Sequence, residues 1–379
     1  MAGFGMTFLP VLFITLASLT QGLQEAELVF VGDAMQHKAQ IDAARQTDGS
    51  YDYSECFSAL SSYIQNADYA VVNLETPLGG RPYTGYPCFS APEKYVDALA
   101  DAGFDLFLTA NNHTLDKLDR GLIRTLDSLD IRDVDHIGTY RNREERDSVM
   151  PFIRDVNGFK IGFINYTYGT NGITLKSDAV VDYIDRAKIK ADIDSARAHG
   201  AEIIAACLHW GEEYNLLPNA NQRSLADFLI SQGVELIIGS HPHVIQPIEV
   251  LADSLGNKTL VVYSLGNFIS NMKTRDTRGG IAVKVKLKRD AKGKARLDQA
   301  SYRLLFTIPP VDGHNFRVVP AEACDHPVWK VRSDAFTESA ERIFKKHNKN
   351  VERDTIPIPG EKISSVDKIF QRMLGVLQK

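Results

Sequence analysis

Five short apolar segments of this chain each run directly into residues that can bind a metal ion. The residues in question are Asp33, Glu75, Asn112, His209 and the pair His241 and His243. In open α/β sheets, ligands bind at the carboxyl ends of the strands, so side chains from distant parts of the sequence can meet there. This pattern favours a layered α/β fold with one shared site at the strand ends.

The rest of the pattern agrees with an α/β fold, because apolar runs of strand character alternate with amphipathic helical segments. The predicted strands cover residues 28–31, 69–72, 105–108, 152–156, 161–164, 203–208, 236–238 and 260–263. The predicted helices cover residues 93–102, 117–129, 186–199 and 221–232. From Gly280 the sequence alternates apolar and basic residues, which is typical of a half-solvated antiparallel strand.

Length and composition limit the classes of function. A chain of 379 residues forms two or three structural units, or one large α/β unit with a tail. Its 44% apolar residues can build a sizeable core, and its net charge of -5 argues against a nucleic-acid binder that depends on bulk positive potential.

The amino terminus differs in composition from the rest of the chain. Residues 1–22 contain no charged side chain, and the first basic residue is Lys38. The apolar run is too short and too interrupted for a spanning helix, so we predict a signal peptide over residues 1–22 and an exported protein of the periplasm or cell envelope. The alternative is an uncleaved amino-terminal anchor.

The strand-end residues offer carboxylate oxygens, a carboxamide oxygen and imidazole nitrogens. In an extended segment, His241 and His243 project to the same side, and the proline between them excludes a helix. A mixed oxygen and nitrogen set suits Zn, Mn or Fe(II) better than Mg or Ca. One or two such divalent ions can activate a hydroxide for hydrolysis, and His113 is placed to protonate a leaving group.

Six motifs follow one another in an order that resembles a known family. They are Gly-Asp-Ala-Met at 32–35, Asn-Leu-Glu at 73–75, Asn-Asn-His-Thr-Leu-Asp at 111–116, His-Trp-Gly-Glu-Glu-Tyr at 209–214, Gly-Ser-His-Pro-His-Val-Ile-Gln at 239–246 and Tyr-Ser-Leu-Gly-Asn-Phe at 263–268. The chain is similar over residues 27–288 to the CapA capsule-synthesis (poly-γ-glutamate) family, which is itself similar to the calcineurin-like metallophosphoesterases.

The resemblance implies a four-layer α/β/β/α sandwich of metallophosphoesterase type over residues 27–307. Residues 308–379 would form a carboxyl-terminal extension with helices at 338–349 and 364–377.

The resemblance also implies roles for the strand-end residues. Asp33 and His243 would hold a first metal ion, Glu75 would bridge, and Asn112, His209 and His241 would hold a second, with His113 as the catalytic histidine. The chain departs from the phosphoesterases at Met35, where they carry a histidine, and Met is a poor ligand for a hard divalent ion. His37 is an alternative ligand, although a solvated loop histidine is the simpler interpretation.

Residues beside these motifs are candidates for substrate binding. Trp210, Tyr214 and Asn267 are the substrate-binding candidates, with packing as the alternative for the aromatic rings. Lys273, Arg275 and Arg278 can meet an anionic substrate, but scattered surface cations are the simpler interpretation.

Three functions fit these observations. The first, implied by the resemblance, is a metal-dependent hydrolase or transferase acting on an anionic envelope polymer or its precursor, together with membrane-bound capsule-synthesis proteins. The second is a noncatalytic polymer-binding or export scaffold, which Met35 favours. The third is a metal-dependent phosphoesterase.

Overall fold

The computed structural model describes residues 24–355 and residue 358. The predicted signal peptide at 1–22 and the predicted helix at 364–377 lie outside the described residues.

The strands are β1 Glu25–Ala34, β2 Tyr69–Leu74, β3 Leu106–Leu108, β4 Asp135–Ile137, β5 Thr139–Tyr140, β6 Phe152–Val156, β7 Phe159–Thr167, β8 Val180–Val181, β9 Ile203–His209, β10 Leu236–Ser240, β11 Ile248–Ala252, β12 Lys258–Val262, β13 Asn267–Ile269, β14 Gly279–Arg289, β15 Ala295–Ile308, β16 Arg317–Pro320 and β17 Glu352–Arg353. The α-helices are α1 Lys38–Ala44, α2 Ser61–Gln65, α3 Lys94–Asp101, α4 Leu118–Asp130, α5 Arg143–Val149, α6 Arg186–Ala198, α7 Ala220–Ser231 and α8 Pro327–His347.

Most strands belong to two mixed sheets. The first sheet has the order β16-β15-β14-β1-β2-β3-β4, with β13 also paired to β1 and β17 to β15. The second sheet has the order β11-β12-β10-β9-β7-β6. β1, β2 and β3 run parallel in the first sheet, and β7, β9, β10 and β12 run parallel in the second. Each sheet therefore gathers several strand ends at one edge.

Three apolar cores separate the layers. One lies between the two sheets and joins residues such as Phe30 of β1 and Ile161 of β7. A second covers the outer face of the first sheet, where Val72 meets Tyr95 of α3. A third covers the outer face of the second sheet with side chains of α6 and α7. Helix, sheet, sheet and helix follow in that order, which confirms the predicted four-layer α/β/β/α sandwich.

The segment after Ile308 continues the first sheet. β16 pairs antiparallel with β15, although the sequence loses strand rhythm there. α8 begins at Pro327, eleven residues before the predicted start at 338, with His326 as its amino-terminal cap. Proline at the first helical position is a recognised start signal, since its missing N–H needs no partner there. Phe336 and Phe344 of α8 pack into the core between the sheets, and the boundary predicted at residue 307 stays a prediction.

The helix α5 was not predicted, and it carries a buried cation. Arg146 is 5% exposed and donates to the carboxylates of Asp182 and Asp192. The arginine thereby ties α5 to α6 beneath the second sheet. None of the helices among residues 24–355 is long and apolar enough to cross a membrane.

Candidate metal centre

The first sheet delivers two carboxylates to its edge. Asp33 lies near the end of β1, level with Asn73 on β2 and Asn267 on β13, and Glu75 follows directly after β2. The backbone beside Asp33 is tightly packed: a Cβ on Gly32 would lie 1.9 Å from the carbonyl oxygen of Gly266. Only glycine fits at position 32, because a side chain there would collide with the backbone of Gly266.

The second sheet delivers three imidazoles. His209 is the last residue of β9, and β10 ends beside it at Ser240. His241 and His243 follow with φ angles of +103° and +57°, in a region that side chains other than glycine rarely adopt. The extended conformation predicted for His241 and His243 is wrong, because the segment is a bend. Such backbone strain is concentrated at functional sites.

The two sets of side chains meet. The Nδ1 atom of His243 lies 3.1 Å from a carboxylate oxygen of Asp33, and its Nε2 atom lies 3.7 Å from Oε1 of Glu75. Nε2 of His209 lies 3.6 Å from the same Glu75 oxygen. Candidate ligand atoms of Glu75, His241 and His243 lie within 4.8 Å of one another, and so do those of Asp33, Glu75 and His209. Residues up to 210 positions apart thus form one cluster.

Glu75 lies among these side chains without a hydrogen bond from any described residue. Its side chain is 0% exposed, and neither carboxylate oxygen has a hydrogen bond among the described residues. Burial, followed by the nearby charge of Asp33, raises the pKa of Glu75 well above its ordinary value. A buried carboxylate in this position is stable as an anion only if a positive charge compensates it.

Two of the three imidazoles, those of His209 and His241, are favoured in their neutral form. Burial and the neighbouring histidines lower the pKa of His209 well below its ordinary value. Burial, followed by His243, lowers the pKa of His241 to about 3. Nδ1 of His241 is buried and has no hydrogen bond among the described residues. Neutral imidazole with a free lone pair is the form that binds a metal ion.

These residues fit a divalent cation. A cation would satisfy the orphaned oxygens of Glu75 and the free nitrogen of His241, and the donor set contains oxygen and nitrogen but no thiolate. Asn112 lies beside the group, and its Oδ1 atom is 2.9 Å from Nε2 of His209. The arrangement supports a divalent metal site, whereas the identity of the ion stays a prediction.

His113 belongs to a hydrogen-bonded pair beside the cluster. Its Nδ1 atom lies 2.8 Å from a carboxylate oxygen of Asp116, which also accepts a hydrogen bond from the backbone N–H of Phe89. The ring of Phe89 packs edge-on against the imidazole at 4.6 Å. With the proton of Nδ1 donated to Asp116, Nε2 is the atom left to act on a substrate. No role was predicted for Asp116, although its spacing of three residues from His113 allows the contact.

Asn73 is a second residue that sequence reasoning did not select. Its side-chain N–H donates to Asp33 at 2.8 Å, and the same nitrogen lies 3.4 Å from Nδ1 of His209. It therefore contacts candidate ligands from both sheets. Asn73 begins the Asn-Leu-Glu motif at 73–75, but its residue type alone does not indicate that it contacts a candidate ligand.

The three substrate candidates lie in different surroundings. Trp210 is 2% exposed, and its indole N–H donates to the carbonyl of Tyr263, so the ring is packed into the outer core of the second sheet. Tyr214 is 55% exposed, with its ring 6.4 Å from that of His243. Asn267 is buried, and its Oδ1 atom lies 3.1 Å from Nδ1 of His243. Asn267 is thus positioned to orient a candidate ligand.

A groove beside the cluster adds a residue that the sequence did not indicate. The groove has a volume of about 510 Å³ and begins at Tyr168, whose ring lies 4.5 Å from that of His241. Trp210, Arg186, Asn219 and further residues of α7 line it. Tyr168 is 48% exposed, so it can contact both a ligand in the groove and the candidate metal site.

Met35 and His37 both contact β13 or the residues that follow it. Met35 is 1% exposed, and its backbone N–H donates to Ile269. The Nδ1 atom of His37 accepts a hydrogen bond from the backbone of Asn271, and burial lowers the pKa of this imidazole to about 4. His37 is absent from both ligand groups found among residues 24–355. It caps α1, so it is not the solvated loop histidine that was expected.

Comparisons with solved structures give only distant similarity. NAD nucleotidase of Haemophilus influenzae matches with a TM-score of 0.48 and 12% identity, covering 93% of this chain and 67% of the nucleotidase. The calcineurin-like phosphoesterase YfkN of Bacillus subtilis matches with a TM-score of 0.46 and 12% identity, covering 86% of this chain and 99% of YfkN. Both scores are below 0.5, so the fold is assigned from this chain's own sheets and cores.

Comparisons of sequence give the family. The capsule biosynthesis protein CapA of Bacillus anthracis is 26% identical over 292 residues, which is 73% of this chain and 66% of that protein. The PGA biosynthesis protein CapA of Bacillus subtilis is 27% identical over 299 residues, which is 77% of this chain and 73% of that protein. The family model described as "Bacterial capsule synthesis protein PGA_cap" matches residues 27–272, and the chain therefore belongs to that family.

Proposed function

We propose that this protein is a metal-dependent hydrolase or transferase of the cell envelope that acts in capsule polymer synthesis or handling. The single observation that supports a metal-dependent reaction is Glu75, whose buried carboxylate accepts no hydrogen bond from the described residues and lies near Asp33 and three imidazoles. The polymer class is taken from the family and from the names of the two Bacillus relatives.

The expected chemistry follows from the surrounding residues. A divalent ion, when bound, supplies an activated hydroxide and neutralises negative charge that develops on the substrate. Asp33 and His243 would hold one ion, Asn112, His209 and His241 a second, and Glu75 would lie between them. Asn73 and Asn267 orient Asp33 and His243 through hydrogen bonds.

His113 would deliver a proton to the leaving group. Its Nδ1–H is held by Asp116, so the imidazole is fixed in one orientation and Nε2 carries the proton that is transferred. Tyr168 and Tyr214, both about half exposed, would contact the substrate beside the metal ligands. Substrate would enter along the groove that begins at Tyr168.

The partner would be an anionic envelope polymer or its precursor, together with membrane-bound capsule-synthesis proteins and not nucleic acid. Location in the envelope agrees with the capsule-synthesis relatives. Export by a signal peptide over residues 1–22 is part of the same proposal, as is a periplasmic position.

A turnover assay tests the proposal. Purified protein would be incubated with a γ-glutamyl oligomer and with a phosphoester panel, each with and without a chelator. Metal-dependent cleavage or transfer of the γ-glutamyl substrate supports the proposal, and turnover of phosphoesters alone would favour a phosphoesterase instead. Tight polymer binding without turnover of any substrate would contradict the enzymatic function and favour the noncatalytic scaffold that Met35 indicates.

A further inference from the structure

Arg278 is a buried arginine without a counter-ion among the residues that the structure describes. It directly precedes β14 and is 5% exposed. Its Nη1 atom is buried without a hydrogen bond, and no ion pair joins it to a carboxylate within residues 24–355. The interpretation of this residue as a surface cation is therefore wrong. Arg275, three residues earlier, pairs with Asp276 and is the simple surface cation that was expected.

The groups around Arg278 make its buried positive charge still less favourable. The ring of Trp329 on α8 lies 5.0 Å from its guanidinium, and Arg332 lies 5.2 Å from the same ring. Burial and the positive charge of Arg332 lower the pKa of Arg278. A cation–π contact contributes about 0.5–2 kcal/mol, but an aromatic face does not replace the hydrogen-bond acceptors that a buried guanidinium requires.

Arg278 is also connected to the candidate metal centre through the backbone. The side-chain N–H of Asn267 donates to the carbonyl of Thr277 at 2.8 Å. The Oδ1 atom of Asn267 lies 3.1 Å from Nδ1 of His243. The residue next to Arg278 is thus held by the same asparagine that contacts a candidate metal ligand. A ligand at Arg278 would bind close to the chain segment that supports the centre.

We propose that Arg278, Arg332 and Trp329 form an anion-binding site that takes a carboxylate group. A carboxylate accepts two parallel hydrogen bonds from one planar guanidinium, and such pairs are among the strongest that proteins form. Both guanidinium groups lie over the ring of Trp329, and the exposed Arg332 adds a second positive charge beside Arg278. The choice of carboxylate over phosphate rests on the proposed function, since an anionic capsule polymer of the poly-γ-glutamate type carries one carboxylate per unit.

Calorimetric titration of the full-length protein tests the site, with a γ-glutamyl oligomer, free glutamate and inorganic phosphate as separate probes at constant ionic strength. We expect the wild type to bind the oligomer and Arg278→Met to bind it about tenfold or more weakly. Arg275→Met is the matched control, because it removes a paired surface cation from the same loop, and its affinity should stay within about twofold of the wild type. Equal binding by the wild type and Arg278→Met would overturn the proposal, as would a preference for phosphate.

Folding and metal content are measured on the same preparations. Arg278→Met should unfold at the same temperature as the wild type or higher, because it removes a buried charge without a partner. If that variant fails to fold, Arg332→Gln on the exposed surface replaces it and should also weaken oligomer binding. Metal content separates the two proposals: weaker oligomer binding by a fully metallated Arg278→Met supports the anion site. Absence of metal from every preparation contradicts the proposed enzyme without affecting the titration.

Discussion

Replacing Glu75 with glutamine should have opposite effects on the metal-free and metal-bound protein. The substitution keeps the volume of a fully buried side chain and removes its negative charge. In the metal-free protein this charge has no hydrogen bond and lies near Asp33, so its removal relieves an unfavourable interaction. We expect Glu75→Gln to unfold at the same temperature as metal-free wild type or higher, with a gain of up to about 1–2 kcal/mol.

With metal present, we expect the wild type to unfold at a higher temperature than Glu75→Gln. A ligand at one hundred times its dissociation constant stabilises the folded state by about 2.7 kcal/mol, which for a chain of this length corresponds to roughly 3–4 °C in the unfolding temperature. The wild type should show this shift on addition of Mn²⁺ or Zn²⁺ after chelator treatment, and Glu75→Gln should show little or none. Differential scanning fluorimetry measures both effects.

The matched control is Glu249→Gln. Glu249 is also a buried carboxylate, but it pairs with Lys349 at 3.2 Å and lies away from the cluster. This variant should keep the full response to metal and lose less than about 1 kcal/mol of stability, because its partner is exposed. The reasoning is refuted if metal-free Glu75→Gln unfolds several degrees below the wild type and still responds to metal.

Three further predictions concern other residues. Asp116→Asn should lower the turnover number about 10- to 100-fold on whichever substrate the wild type uses, with metal content unchanged, because His113 loses the acceptor that fixes its tautomer; steady-state kinetics beside metal analysis checks this. Arg146→Met should cost about 3 kcal/mol in urea unfolding, because the buried carboxylates of Asp182 and Asp192 lose a shared cation, although Asp182 keeps Lys188 and Asp192 keeps the hydroxyl of Tyr166. Lys190→Met in an exposed ion pair should cost less than about 1 kcal/mol. Met35→His should raise the metal bound per chain, since it restores an imidazole two residues from Asp33; unchanged metal content would show that this position does not reach the site.

The fold could be predicted well wherever the apolar pattern was strong. The eight predicted strands are all present, and most of them are parallel strands whose burial on both faces gives continuous apolar runs. The exception is β6, an antiparallel edge strand with a partly exposed middle. Short helices such as α1 and α5 have only seven residues each, which is too few to show a helical period. β16 has four residues and ends in proline, so its pairing with β15 depends on tertiary contact that no local pattern reveals.

The candidate site was predictable in its membership but not in its geometry. Residues at strand ends must gather at the sheet edges, so Asp33, Glu75 and His209 could be grouped from the sequence. Nothing in the local sequence signals the positive φ angles of His241 and His243, since residues other than glycine rarely adopt them. The sequence also does not reveal that the carboxylate of Glu75 and Nη1 of Arg278 lack hydrogen-bond partners among the described residues, because this depends on where all the other polar side chains lie in the fold.

Metal content is the most direct test of the central claim that one cluster of side chains binds a divalent ion. The wild type and His241→Ala would be purified in parallel, dialysed with Mn²⁺ or Zn²⁺ and then without it, and measured by inductively coupled plasma mass spectrometry. We expect stoichiometric metal in the wild type and a clear loss in the variant, because His241 offers a buried nitrogen with no other partner. Near-zero and equal metal in both proteins would contradict the claim.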